Sequence, residues 1–208
     1  MDIIRFTPSV KTHEDAVKVF CSKSTRIPYS TEIIYLPYLL FVYNLCQSFI
    51  TGKKTTSRGI FLVDLIQGIP VNIKKNTMFQ VSPSLENEMK NLLEGSPAGY
   101  NPKNPLAIEK EDIDEEKILP ALLNEHDAIE KGRKLFMYDM MKFSGPCRNV
   151  EITALDERKL IYYPYWLIYY KNRKGVMDFS VLDALNKNRE SGDIKRSVSM
   201  ALLKKQTS

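Results

Sequence analysis

"LIYYPYWLIYY", residues 160–170, places five tyrosines, a tryptophan and a proline in eleven positions. A second stretch, "IIYLPYLLFVY" at 33–43, repeats its pattern. With Pro37 set against Pro164, Ile34, Tyr35, Tyr38, Leu40 and Tyr43 meet Ile161, Tyr162, Tyr165, Leu167 and Tyr170. Strand alternation gives both faces of each stretch an apolar character, and such a strand is normally covered on both sides. A proline cannot donate to a β-ladder, so Pro37 and Pro164 are expected at an edge, at a bulge or near a strand start. The aromatic rings could form a stacking surface for bases or line a pocket. The neighbouring residues are aliphatic rather than basic, which favours core.

Other resemblances flank the aromatic stretches. "FLVDLI" (61–66) parallels "SVLDAL" (180–185), "HEDAV" (13–17) parallels "EHDAI" (125–129), and "SPSLENEMKNLL" (82–93) parallels "SGDIKRSVSMALLKK" (191–205). The last pair reads as capped amphipathic helices. The order predicts an α+β fold made of two tandem copies of a helix–β-hairpin–helix unit, with antiparallel sheet packed by helices. Residues 1–94 form the first copy, 95–118 a linker, and 119–208 the second; alternatively the two make one compact pseudo-symmetric domain. The first copy has a longer connection between its strands, so 44–59 is expected to project as an extended loop or a longer hairpin.

"GSPAGYNPKNP" (95–105) carries three prolines and two glycines and reads as an irregular, protease-sensitive linker. "EKEDIDEEK" (109–117) is expected at the surface, as a solvated helix start favoured by its acidic groups. Ile118, Leu122, Ile129, Phe136, Met140 and Phe143 then predict one long helix from about 119 to 142, weakened by Gly132.

Ile33 to Thr51 contains no charge and is long enough to cross a bilayer as a helix. Its counterpart meets "KNRK" (171–174) after eleven residues, so no membrane span is expected. The N-terminal "MDIIRFTPSVKTHEDAV" lacks a basic region followed by an apolar run. Cys21, Cys46 and Cys147 are odd in number and far apart, which fits free, buried thiols in a reducing compartment. A cytoplasmic location follows as the expectation.

The net charge of +5 is unevenly spread. Residues 95–130 carry 3 basic and 9 acidic groups, whereas residues 131–208 carry 16 and 8. The basic C-terminal third either meets an anionic partner or complements the acidic segment. Arg173, Lys174, Lys195 and Arg196 are the candidates for nucleic-acid contact.

No HExxH, GxSxG or phosphate-loop motif is present, and no cofactor or metal is implied. His13 and His126 each fall at a helix start beside an acid, as exposed residues. Asp64 and Asp183 could pair to bind a metal or act as acid and base. The preferred reading is that each ends a strand and caps the following turn through its side-chain oxygen. The pattern of Tyr162, Pro164, Tyr165, Trp166 and Asp183 resembles PepSY-like and cystatin-like α+β units, whose hairpins end in an Asp-containing turn. The resemblance covers one hairpin in each half. It implies a glycine after the Asp, and "DALNKN" in the second half lacks it.

Three functions remain open at this level. The first is a non-catalytic binding or assembly module, working through an inter-repeat cleft or a sheet edge and forming homo-oligomers or taking a protein or small ligand. Tyr35, Tyr38, Tyr162, Tyr165, Asp64 and Asp183 are its candidate ligand-binding residues. The second is a nucleic-acid-binding protein using the basic third. The third, an enzyme built on Asp64 and Asp183 with His126, is disfavoured by the scarcity of catalytic motifs.

Trp166, the single tryptophan, has Leu39 as its counterpart, and bulk is all that these two share. It is therefore expected to be buried, against the long helix or the other copy. Trp166→Ala should cost about 3–5 kcal/mol of stability, as large-to-small core changes do, measured by urea denaturation.

Overall fold

A computed structural model describes residues 1–72, 79–93, 106–143, 147–187 and 192–207. The elements run β1 (Asp2–Phe6), α1 (His13–Lys23), β2 (Pro28–Phe49), β3 (Lys54–Asp64), β4 (Pro70–Asn72), β5 (Phe79–Val81), α2 (Glu86–Leu93), β6 (Leu106–Asp112), α3 (Glu125–Phe143), β7 (Cys147–Lys171), β8 (Met177–Asp183) and α4 (Gly192–Thr207). The fold is α+β, but it is not two tandem helix–hairpin–helix copies. Eight strands make one mixed sheet in the order β4-β3-β2-β7-β1-β6-β5, with β8 also paired to β7. β1 lies parallel to β7, with Arg5 opposite Tyr162, and β5 lies parallel to β6. A helix–hairpin–helix copy has no place for these parallel partners. "DIIRF" is too short, and "LAIEKED" too charged, for alternation alone to reveal a strand.

Contacts group the chain into two units that are interleaved in sequence. One comprises Met1–Pro37, Glu109–Pro120 and Tyr162–Ser208; the other comprises Tyr38–Ile108 and Ala121–Ile161. The linker expected at 95–105 lies outside the described residues.

The two aromatic stretches are strands buried on both faces, Ile34 to Tyr43 in β2 and Ile161 to Ile168 in β7. Each begins an antiparallel hairpin ladder one residue after its proline. Tyr38 opposes Asp64 and Tyr165 opposes Asp183. The prolines therefore sit inside long strands, but just where the hairpin partner stops asking for an N–H. The connection 44–59 is a longer hairpin: the β2–β3 ladder runs out to Ser48 opposite Lys54. No helix among the described residues is long and apolar enough to cross a membrane.

The acidic run 109–117 is not a helix start. It completes β6 and enters a short 3-10 turn at Glu115–Lys117. Its side chains are largely exposed, apart from buried Ile113. Two of its acids serve β1: Arg5, only 8% exposed in its side chain, pairs with Glu109 at 2.7 Å and with Glu111. The long helix starts at Glu125, later than periodicity predicts. Pro120 disfavours helical backbone at Leu119 before it, and the Leu119 N–H is instead donated to the Tyr35 carbonyl. The Asn124 side chain then caps the helix by accepting from the Asp127 N–H.

In the unit holding α3, the core joins Leu39, Phe41, Tyr43 and Leu45 of β2 to Phe61 and Val63 of β3, with Ala128 and Phe136 of α3 and Val150 and Ile152 of β7. Phe61 and Phe136 meet edge to face at 4.8 Å. The side chains of Met140 and Phe143, expected on this face, lie outside the described residues. In the other unit, Trp166 is buried as expected, but its helix is α1 rather than α3. It packs with Ala16 and Phe20, and its indole N–H donates to the Val10 carbonyl at 2.8 Å. The cysteines depart from the expected burial: Cys21 is exposed and Cys46 half-buried, and the Cys147 side chain is outside the described residues.

Gly132 reverses its expected role. A Cβ there would sit 2.3 Å from a Val63 methyl, so the missing side chain is what lets α3 lie close on the sheet. Val63 is β-branched and fully buried, and has no rotamer into which it can retreat cheaply. Gly132→Ala should therefore lower stability despite its helix-propensity gain of about 1 kcal/mol. Overpacking of a tight core typically costs about 1–3 kcal/mol. In urea melts, Val63→Ala in the same chain should restore part of the loss; a more stable Gly132→Ala would refute the close contact.

Candidate functional site

The six aromatic and acidic candidates read from the sequence are all buried: Tyr35, Tyr38, Tyr162, Tyr165, Asp64 and Asp183. Tyr35 and Tyr162 join Ile3 and Ile113 in a small cluster. The Arg5 guanidinium lies 5.8 Å from the Tyr35 ring centre, and burial pushes the Tyr35 hydroxyl pKa up. Tyr165 stacks on Tyr163 at 4.8 Å.

The two aspartates cap the turns that end the hairpins. Asp64 Oδ1 accepts the N–H groups of Ile66, Gln67 and Gly68 at 2.6–3.0 Å. Asp183 Oδ1 accepts those of Leu185 and Asn186, while its Oδ2 takes the Tyr163 hydroxyl and the Asn186 amide. In both turns the fourth residue after the Asp swings to positive φ. That residue is Gly68 at 77° in one and Lys187 at 59° in the other. A non-glycine residue there bears a steric cost of about 1–2 kcal/mol. The glycine that "DALNKN" lacks is thus replaced by a left-handed lysine, whose carbonyl accepts from Lys23 Nζ at 2.6 Å.

The histidines are both exposed. His13 Nδ1 contacts the Thr31 hydroxyl, and His126 lies in the first turn of α3. Among the described residues, no group of three or more His, Cys, Asp or Glu side chains is placed to hold a metal ion.

The basic candidates divide. Lys195 is engaged with Asp178 at 2.6 Å and lies over the Phe179 ring at 4.9 Å. Arg196 is exposed on α4. Arg173 and Lys174, in contrast, line an open groove of about 1130 Å³ together with Lys23, Arg26 and Lys171. Five cations face this groove, and among the described residues no carboxylate lines it. Two segments build it: the passage from α1 into β2, Lys23 to Tyr29, and the β7–β8 turn, Lys171 to Lys174.

The turn is held by its own backbone. Asn172 Oδ1 accepts the N–H groups of Lys174 and Val176, and Gly175 takes a φ of 76°. This is a glycine's position, and it leaves Arg173 and Lys174 at the tip. The opposite wall is pinned through Arg26. Its guanidinium stacks 4.5 Å from the Tyr170 ring centre and donates to the Tyr170 hydroxyl. That hydroxyl donates to Asp178 at 3.1 Å. Ile27 and Tyr29 also line the groove and are 84% and 75% exposed, so the cationic wall carries apolar surface open to solvent.

Sequence reading found Arg173 and Lys174 but not Lys23, Arg26 or Tyr29. The signal was present in "KSTRIPY" (23–29), where an exposed-type segment holds Ile27 and Tyr29 between a helix and a strand. Nothing in the sequence brings that segment beside residues 171–174. No protein-family model, curated protein or solved structure matches this chain.

Asp178 anchors the groove wall from behind. Burial works to raise its pKa, but hydrogen bonds from Lys195, the Phe179 N–H and Tyr170 outweigh it and hold the carboxyl below the ordinary aspartate range. A depressed pKa contributes stability that is present above the ordinary value and lost as pH falls through the lowered one. Asp178→Asn should therefore lower the melting temperature at pH 6. The gap from the wild type should shrink as both are taken below about pH 4. An equal gap at pH 6 and pH 3 would show that the carboxylate charge does not hold this network.

Proposed function

We propose that this protein is a nucleic-acid-binding module and that the groove between the α1–β2 passage and the β7–β8 turn is its binding face. The observation that carries this reading is the convergence of Lys23, Arg26, Lys171, Arg173 and Lys174 on one concave surface that has no carboxylate among its described lining residues. Scattered lysine pairs usually mean a solvated surface. Cations gathered on a groove raise the local concentration of polyanions, and releasing counterions from a phosphate backbone drives binding. Among the described residues no ion pair engages the side chains of Lys171, Arg173 or Lys174, so these charges are free for a ligand.

This takes up the nucleic-acid alternative in place of the first reading, a binding or assembly module working through an inter-repeat cleft or a sheet edge. A site in a cleft between tandem copies depended on copies that the mixed sheet does not contain. None of the six buried tyrosine and aspartate candidates lines the groove; Asp183 opposes Tyr165 in the β7–β8 ladder whose turn presents the cations.

Fluorescence anisotropy with labelled oligonucleotides tests the proposal. Wild-type affinity should fall steeply between about 50 and 200 mM salt. Arg173→Ala with Lys174→Ala should weaken binding across all sequences and reduce the salt slope by about 1 for each cation removed. Binding that the double variant leaves untouched would move the site elsewhere.

A further inference from the structure

We infer that the groove takes single-stranded rather than duplex nucleic acid, with Tyr29 as the platform on which an unpaired base stacks. This rests on the nucleic-acid reading of the groove and names its ligand more closely.

The reasoning starts from exposure. In this chain most tyrosines of the long strands are buried, yet Tyr29 is 75% exposed at the second position of β2. It is not on a loose loop. Pro28 before it has a fixed φ, and Arg26 is clamped on Tyr170. The ring is therefore presented by a stiff segment, and it lines the same groove as the five cations. Ile27 beside it adds a second open apolar surface at 84% exposure.

A cationic surface alone serves duplex and single strand alike, because both offer phosphates. An exposed ring and an aliphatic side chain among the cations distinguish them. In a duplex the base faces are already stacked inside, so the ligand would set phosphates against Tyr29 and Ile27 and gain nothing from either. An unpaired strand has free base faces, and aromatic side chains set among backbone-tracking cations are how proteins hold such strands without reading sequence. In this arrangement Arg173 and Lys174 meet the phosphates from the β7–β8 turn. Tyr29 takes a base from the opposite wall.

The experiment compares a labelled single-stranded dT oligonucleotide, its duplex with dA, and inorganic polyphosphate as competitor, on the full chain. The single strand should bind more tightly than the duplex, and polyphosphate should compete poorly at equal charge. Tyr29→Ala should weaken single-strand binding about five- to 150-fold, the range that loss of one stacked base gives. It should leave duplex binding and the salt slope unchanged, whereas Arg173→Ala should lower the slope. Tyr29→Trp should restore the affinity. Tyr29 is exposed, so matching thermal melts of the variants will show that folding is intact. Equal affinity for both forms, or a Tyr29→Ala variant that binds the single strand like the wild type, overturns the stacking inference and leaves the basic groove standing. Failure of every oligonucleotide to bind overturns the groove reading and this one together.

Discussion

A carboxylate is costly to bury unless hydrogen bonds meet it, and this chain buries one at the end of each long hairpin. Asp64 is fully buried and Asp183 nearly so. Each is supplied with backbone N–H groups from the turn that follows. That requirement fixes register. A slip of one residue would carry the carboxylate away from its donors and turn every side chain of the strand to the opposite face. With Asp183 held opposite Tyr165, the ladder counts out to Lys171 opposite Met177. The β7–β8 turn, with Arg173 and Lys174 at its tip, then has one position available to it.

The same register puts the aromatic side chains of β7 to use. Trp166 and Tyr170 fall on the face that meets α1, with Ala16 and Phe20. Tyr170 is both a core residue and a link to the surface. Its ring stacks on Phe20 at 5.9 Å, while its hydroxyl joins Arg26 to Asp178. The amphipathic character of tyrosine allows this, because one end is apolar and the other needs a polar partner. Burial of the strand and placement of a groove cation are therefore consequences of one side chain.

Charge is sorted by the same topology. The acidic stretch 109–117 completes β6, and two of its glutamates pair with Arg5 on the neighbouring strand. Lys195 is engaged by Asp178, and Lys205 donates to the carbonyls of Glu116 and Ile118. Among the described residues, the groove lined by Lys23, Arg26, Lys171, Arg173 and Lys174 has no carboxylate in its lining.

What the sequence determined by itself is local. Two strands apolar on both faces, the hairpins they start, the aspartates that cap their ends and the burial of Trp166 all follow from alternation, turn chemistry and bulk. These act over a few residues. The tertiary structure decided what depends on distant partners. β1 and β6 have little strand signal of their own, and become strands because a parallel neighbour and an Arg–Glu pairing hold them. Gly132 looks like a weakness in a helix until Val63 is seen beneath it. The basic groove is the plainest case: Lys23, Arg26 and Tyr29 lie more than 140 residues from Lys171, Arg173 and Lys174 in the chain. Only the pairing of long strands brings them to one groove, because charges and rings that share no periodicity leave no pattern along a sequence.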